Sequence, residues 1–506
     1  MAYEDKIAEH RRRRDKAQAM GSPRKLAEKA AAGELNARQR LDRLVEPESF
    51  HEIGLFAASA RPEDRERTPT DGMIVGTGRV DGRLVAVAIS DFSVVGSSTA
   101  PTNSRKFYHV NKLAQEQGLP LLILGECSGA RMPDIMGAEG IGQTGLDYMR
   151  TRANPWISAV LGQSYGGSTW KAAMSDLVIQ RKGAIMAVSS VKVTEVAISE
   201  EVDPEELGGW HMRSAVSGET DLVAEDDADA IDLVKRYLGY LPGHNRERPP
   251  RAAVPAGSDE QADSLLDLVP EARSKVYDMR KVIAAIVDKG SFTAVKERFA
   301  KVAVTGFARI DGHVVGILAS NPYFKGGALD PDSCRKMTSF VVLCDSFNIP
   351  MIFFTDTPGF LVGVEGERQG LAGRIMNFIQ ALEMSTVPKF AVILRKSYGQ
   401  AYLNMGGKHD QLAAWYTADI GFMDPNVGVN VVHGVRVEDE PERFAELRDE
   451  LARNTTGYDL AAGFYAQNVI DPRQTRDYLK HLLAVYQQRP TGGIGRHRLR
   501  YWPTSI

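Results

Sequence analysis

RVDGRLVAV, Arg79–Val87, returns as RIDGHVVGI, Arg309–Ile317, 230 residues further along a chain of 506. Each reads as strand, Asp-Gly turn and strand, because β-branched apolar residues flank a dipeptide that takes positive φ readily. The register holds outward from that hairpin. At the same spacing Ser104-Arg105-Lys106 meets Cys334-Arg335-Lys336, Pro120 meets Pro350 and Gly129 meets Gly359. The apolar run LLILGECSG (Leu121–Gly129) thus corresponds to MIFFTDTPG (Met351–Gly359), each following a proline and ending in small residues. The spacing grows to 233 where Tyr165-Gly166-Gly167 meets Tyr398-Gly399-Gln400, and to 243 where Ser175-Asp176-Leu177 meets Ala418-Asp419-Ile420. Self-similarity of this length predicts a duplicated α/β domain. Each half should run hairpin, helix containing Arg-Lys, buried strand, small-residue loop, helix and strand, with a substantially parallel sheet.

Pro, Gly and charge replace apolar periodicity over LPGHNRERPPRAAVPAGSDEQADS, 241–264, which predicts a linker and two domains, 1–250 and 251–506. Ahead of the first hairpin, residues 1–45 place Ile7, Leu26, Leu35, Leu41 and Leu44 among charges, the pattern of helices with a charged face, and Arg11–Arg14 is assigned to solvent. The 62 Lys+Arg against 65 Asp+Glu give a net charge of −3, which argues against a nucleic-acid partner. Three cysteines without a CxxC pair support neither a disulfide framework nor a cysteine zinc site, so a reducing cytoplasm is expected and no metal. Neither a targeting segment nor a membrane span is expected, since no apolar run approaches the roughly 18 residues of a spanning helix. The 47 glycines exceed the usual share and ask where backbone must approach something closely.

The loops LGQSYGGSTW (Leu161–Trp170) and RKSYGQAYLNM (Arg395–Met405) both follow a strand-like run and precede a helix-like one. Ligands of parallel α/β sheets bind at such turns. Glycine lets backbone N–H groups face a ligand there, and paired N–H donors can hold an enolate or other oxyanion. Glycines can also serve close helix–sheet packing, but recurrence at one point of both halves favours function. No GxSxG, Walker, HExxH or GxGxxG segment occurs. His409 and His433 are assigned to packing or surface, and Glu126, Asp356 and Asp419 to hydrogen-bonded loop acids. Oxyanion stabilisation with a proton acceptor borrowed from the substrate remains, which points to enolate chemistry.

The chain resembles the carboxyltransferase (beta) subunits of biotin-dependent acyl-CoA carboxylases, of the propionyl-CoA carboxylase type. The resemblance lies in LNARQRLDRLVEPESFHE (Leu35–Glu52), SDFSVVGSS (Ser90–Ser98), CSGAR (Cys127–Arg131), EVDPEELGGWHMRSAVSG (Glu201–Gly218), TDTPGFLVGVE (Thr355–Glu365), TVPKFAVILRKSYGQAY (Thr386–Tyr402) and IDPRQTRDYL (Ile470–Leu479). It implies two crotonase-like (ClpP/crotonase) α/β domains with a helical N-terminal extension, the first on the acyl-CoA side and the second on the biotin side. It also implies a homo-hexamer built as a trimer of dimers, and a biotin carboxylase/biotin carboxyl carrier (alpha) subunit as partner, with coenzyme A as part of the substrate. Carried onto this chain, the Gly166 and Gly167 amides would hold the thioester oxygen, with Gly129, Ala130, Tyr165 and Leu403 around the substrate. Gly399, Gln400 and Ala401 would receive biotin, the Gln400 and Ala401 amides forming the second oxyanion hole.

Three departures accompany the resemblance. The family's YGGAY or FGGAY is here Tyr398-Gly399-Gln400-Ala401-Tyr402, Leu403 stands where propionyl-CoA enzymes carry Asp, and QSYGGSTW replaces PCAGGAVY. Gln400 brings a side chain to the expected biotin approach. A biotin-independent crotonase-type decarboxylase or transferase, and a non-catalytic assembly paralogue, are the alternative expectations.

Overall fold

The computed structural model describes residues 3–142, 149–407 and 409–503. The chain divides into two compact units, Met1–Glu247 and Arg248–Ile506. In the first, β1 (His51–Ile53), β2 (Met73–Val80), β3 (Arg83–Ser90), β4 (Leu121–Cys127), β5 (Trp156–Tyr165), β6 (Leu177–Arg181), β7 (Ile185–Ala187) and β8 (Leu222–Ala224) form one sheet. Its order is β1-β2-β3-β4-β5-β6-β8, with β7 continuing alongside β5. The second contains β9 (Thr293–Val295), β10 (Ala303–Ile310), β11 (His313–Ser320), β12 (Met351–Thr357), β13 (Lys389–Tyr398), β14 (Gln411–Trp415), β15 (Asp419–Gly421) and β16 (Asn468–Ile470) in the equivalent order.

The repeat seen in the sequence is a repeat of strand register. Met73 pairs with Ser90 and Ala86 with Leu121; 230 residues on, Ala303 pairs with Ser320 and Gly316 with Met351. The hairpin β2–β3 turns through Asp81 and Gly82 at φ 48° and 75°, and β10–β11 through Asp311 and Gly312 at φ 52° and 75°. Two positive φ values in succession are the type I′ turn that Asp-Gly favours. From β3 to β8 and from β11 to β16 all pairings are parallel, so the central strands are buried on both faces and read as continuous apolar runs.

Each Arg-Lys helix tucks its lysine beneath the hairpin. From the helix Pro101–Gln117, the Lys106 ammonium donates to the carbonyls of Thr70, at 2.9 Å, and of Met73. From Pro331–Ser346, Lys336 donates to Phe299 and Ala303 carbonyls at 2.8 and 2.7 Å. Both lysines are buried, and these bonds partly offset the loss of hydration. Phe107, Val110, Leu121, Ile123 and Trp156 lie in the core of the first unit; Ile317, Ile352, Phe354, Phe390 and Trp415 lie in that of the second.

The N-terminal extension is helical over Glu4–Gln18, Pro23–Ala31 and Ala37–Leu44. Asn36 and Gln39 close a reciprocal capping box on the third helix, which aims Arg40 inward. Arg40 is fully buried and donates to Glu126 Oε1 at 2.9 Å and Asp227 Oδ2 at 2.8 Å, joining the extension to β4. Arg12 and Arg13 lie exposed against Glu9, as expected of a solvated face. Among the described residues no helix is long and apolar enough to cross a membrane.

Candidate active site

Each central strand ends in one strained glycine. After Tyr165 at the end of β5, Gly166 takes φ 59° and ψ −118° before the helix Gly167–Ala173. After Tyr398 at the end of β13, Gly399 takes φ 61° and ψ −147° before the helix Gln400–Met405. Side chains rarely tolerate this backbone, so glycine is needed for the turn itself. A Cβ on Gly166 would meet nothing within 4 Å. Gly167 has no such φ but lies close to Thr99: an added Cβ would stand 3.2 Å from Thr99 Oγ1. The first N–H groups of each helix have no intrahelical acceptor, which leaves backbone donors at both turns.

Thr99 joins the first loop to the CSGAR segment. Its N–H donates to the Gly129 carbonyl at 2.8 Å, the Arg131 N–H donates to the Thr99 carbonyl at 2.9 Å, and Thr99 and Ala130 form a parallel bridge. Gly129 holds φ 106°. Arg131 is buried and anchors the segment through Asp71 Oδ1 at 2.6 Å. The second unit repeats this geometry with Leu329, Gly359 and Leu361. Gly129, Ala130, Gly166 and Gly167 are therefore neighbours in the first unit, and Gly399, Gln400, Ala401 and Leu403 share one turn of chain in the second. Gln400 is exposed, and its side-chain amide donates to Asn404 Oδ1 at 3.2 Å, while buried Asn404 donates to the Ile375 carbonyl at 3.3 Å. The glutamine is thereby folded back along its own helix. Leu403 is half-buried on that helix.

Tyr165 is buried and packs with Ile185 and Ala187. Tyr398, its counterpart, donates to Asp419 Oδ2 at 2.5 Å, and Arg273 pairs with the same carboxylate. Burial and the Asp419 charge both push the Tyr398 hydroxyl upward, so it remains protonated. The strand acids are equally engaged. Burial raises Glu126, but Arg40 and Lys29 outweigh it and hold the carboxyl below its ordinary range. Asp356 accepts from Arg395 Nε at 2.8 Å. His409 is half-buried against Phe353, ring centres 4.3 Å apart, and His433 is exposed.

A carboxyl transferase domain model matches residues 28–499. The chain belongs to the carboxyl transferase family. The carboxyltransferase subunit of propionyl-CoA carboxylase from Haloferax mediterranei is 35% identical over 497 residues, covering 95% of each chain. Methylmalonyl-CoA decarboxylase subunit alpha from Veillonella parvula is 33% identical, covering 93% of each. Among solved structures, the transcarboxylase 12S hexamer with methylmalonyl-coenzyme A and methylmalonic acid bound superposes with a TM-score of 0.88 at 34% identity, over 96% of this chain and 97% of that one. The two repeated sheets are thus those of a two-domain, crotonase-like carboxyltransferase, and the enzyme class is acyl-CoA carboxyl transfer.

Two residues of this carboxyl transferase escaped the sequence reading. Thr99 lies in a stretch of small residues, SSTAPT, whose pattern does not single it out. Lys171 stands four residues after Gly167, on the inward side of the helix, and a lysine at that spacing from an interior-facing residue was the available signal.

Proposed function

We propose that this chain moves a carboxyl group between carboxybiotin, carried on a separate biotin carboxylase/carrier (alpha) chain, and the α-carbon of an acyl-CoA. The Gly166 and Gly167 amides hold the thioester oxygen, where negative charge grows as the α-proton leaves and the enolate forms. Gly129 and Ala130, tied to that loop through Thr99, border the acyl group. At the second loop, the Gln400 and Ala401 amides receive the biotin ureido oxygen, with Gly399 making the turn and Leu403 beside it. Biotin supplies the activated carboxyl group and the proton acceptor. Glu126 and Asp356, being engaged by cations, serve the scaffold. A trimer-of-dimers hexamer is the assembly we infer, by likeness to transcarboxylase 12S.

The observation that carries this reading is one strained glycine turn, Gly166 and Gly399, at the same point of both repeats. The fold-back of Gln400 onto Asn404 supports biotin use over the biotin-independent alternative. Purification of the chain from its native cells, blotted with streptavidin and assayed for ATP- and bicarbonate-dependent carboxylation of a CoA-ester panel, tests it. A biotinylated companion and carboxylated product are expected; neither appearing across repeated preparations refutes the proposal.

A further inference from the structure

The second unit holds a pocket of about 330 Å³ beside the start of β10, and no residue of its glycine loop lines it. Its charged lining is four cations, Arg280, Arg298, Lys301 and Lys336, against one carboxylate, Glu297, which Arg280 already engages at 2.5 Å. Phe324 and Val304 supply apolar wall, and the Lys301 ammonium stands 5.8 Å from the centre of the Phe324 ring. Lys336 is buried. Two of its three N–H donors go to the Phe299 and Ala303 carbonyls, which leaves the third to the pocket. Charge at this point differs between the repeats. Lys106, the counterpart of Lys336, has Glu52 and Asp71 near it against Arg38 alone. Around Lys336, Lys296 and Arg280 act against Glu297 and Asp330, and Asp330 is itself paired with Lys325. Burial, and then the Lys296 charge, push the Lys336 pKa down to about 7. An excess of positive charge gathered about a buried ammonium is costly, and an anion in the pocket would offset that cost.

We propose that this pocket binds the phosphate groups of a small phosphorylated metabolite other than the CoA ester. Buried Lys336 meets the phosphate from within, exposed Arg298 and Lys301 meet it from the solvent side, and the organic part lies against Phe324. Phosphate oxygens suit this lining because each accepts several charge-assisted bonds, from guanidinium and ammonium donors together. The volume falls at the lower end of the range for small organic ligands, about 300–1,000 Å³, and so exceeds what a bare oxyanion fills. The site is separate from the carboxyl-transfer reading and stands or falls without it. Its phosphate has two sources, an organic phosphate or free inorganic phosphate.

Calorimetric titration of purified full-length protein, saturated beforehand with coenzyme A, separates them with ADP, adenosine and inorganic phosphate as probes. ADP is expected to bind wild type at least about ten-fold more tightly than adenosine, which lacks the phosphates. Lys301→Glu and Lys336→Met should each weaken ADP by about ten-fold or more, whereas Lys289→Glu, a reversal of an exposed charge outside the pocket, should stay within about two-fold. Circular dichroism and thermal unfolding report the fold of each variant, and if Lys336→Met fails to fold, exposed Lys301→Glu decides the matter. ADP binding more tightly than inorganic phosphate assigns an organic phosphate; equal affinities assign phosphate alone. Absence of binding by both ADP and phosphate once coenzyme A is present, an affinity unchanged in Lys301→Glu, or an equal loss in Lys289→Glu overturns the proposal.

Discussion

Replacing Gly166 with alanine tests whether the strained turn is part of the chemistry. The added methyl meets nothing within 4 Å, so its whole effect comes from φ 59° and ψ −118°. Holding a non-glycine residue there costs about 1–3 kcal/mol. Tyr165 is fixed below by its buried ring, and the Gly166 carbonyl accepts the Trp170 N–H at 3.0 Å above, so strain is relieved most cheaply by rotating the Tyr165–Gly166 peptide. If Gly166 holds the thioester oxygen as proposed, that rotation turns its N–H away from it. Loss of one such donor lowers kcat by about 10²–10³-fold. Gly82→Ala is the control: φ is 75°, the methyl again meets nothing within 4 Å, and the position is a hairpin turn remote from the loop. Steady-state carboxyl transfer and urea unfolding of both variants should show comparable losses of stability but a rate defect in Gly166→Ala alone. Unchanged kcat/KM in Gly166→Ala, or an equal rate loss in Gly82→Ala, would refute the reasoning.

Gln400→Gly should keep carboxyl transfer within about three-fold of wild type, because the side chain already lies along its helix against Asn404; a loss beyond about 10²-fold would give the glutamine a direct role. Arg395→Met should lower unfolding free energy by about 3–5 kcal/mol in urea, since it strands buried Asp356 and three carbonyls, of Pro270, Ala272 and Lys275; Asp356→Asn in the same chain should recover part of the loss. His409, half-buried with its ring Nε2 shielded from water, is held near pKa 3 by that desolvation and stays neutral in the native state while the unfolded chain takes up a proton below about 6.5. Stability is therefore lost as pH falls from 6.5 toward 3, by about 2 kcal/mol at pH 5, and His409→Phe should flatten that part of the curve in thermal unfolding.

The hairpins, the Arg-Lys helices and the glycine loops were legible because each is a local pattern repeated at a near-constant spacing. Asp81-Gly82 and Asp311-Gly312 specify their turn from two residues. The ion cluster of Arg40, Lys29, Glu126 and Asp227 was not, as its members meet across as many as 187 residues and no periodicity links them. The packing of Tyr165 with Ile185 and Ala187 was not legible either, because it joins β5 to β7 across some twenty residues with no shared local pattern. Lys171 was missed because a lone lysine in a helix is ordinarily a surface residue.

Both loops concentrate the backbone demand on their first glycine and leave the next position with ordinary φ. A mutation at Gly166 or Gly399 is paid in main-chain geometry, whereas one at Gly167 or Gln400 changes only what occupies the space in front of the amides. Each unit therefore carries its own glycine corner, and the position after it varies without altering that corner. Gly167 lies close against Thr99 in the first unit, and Gln400 places a side chain at the equivalent position of the second while Gly399 keeps the turn.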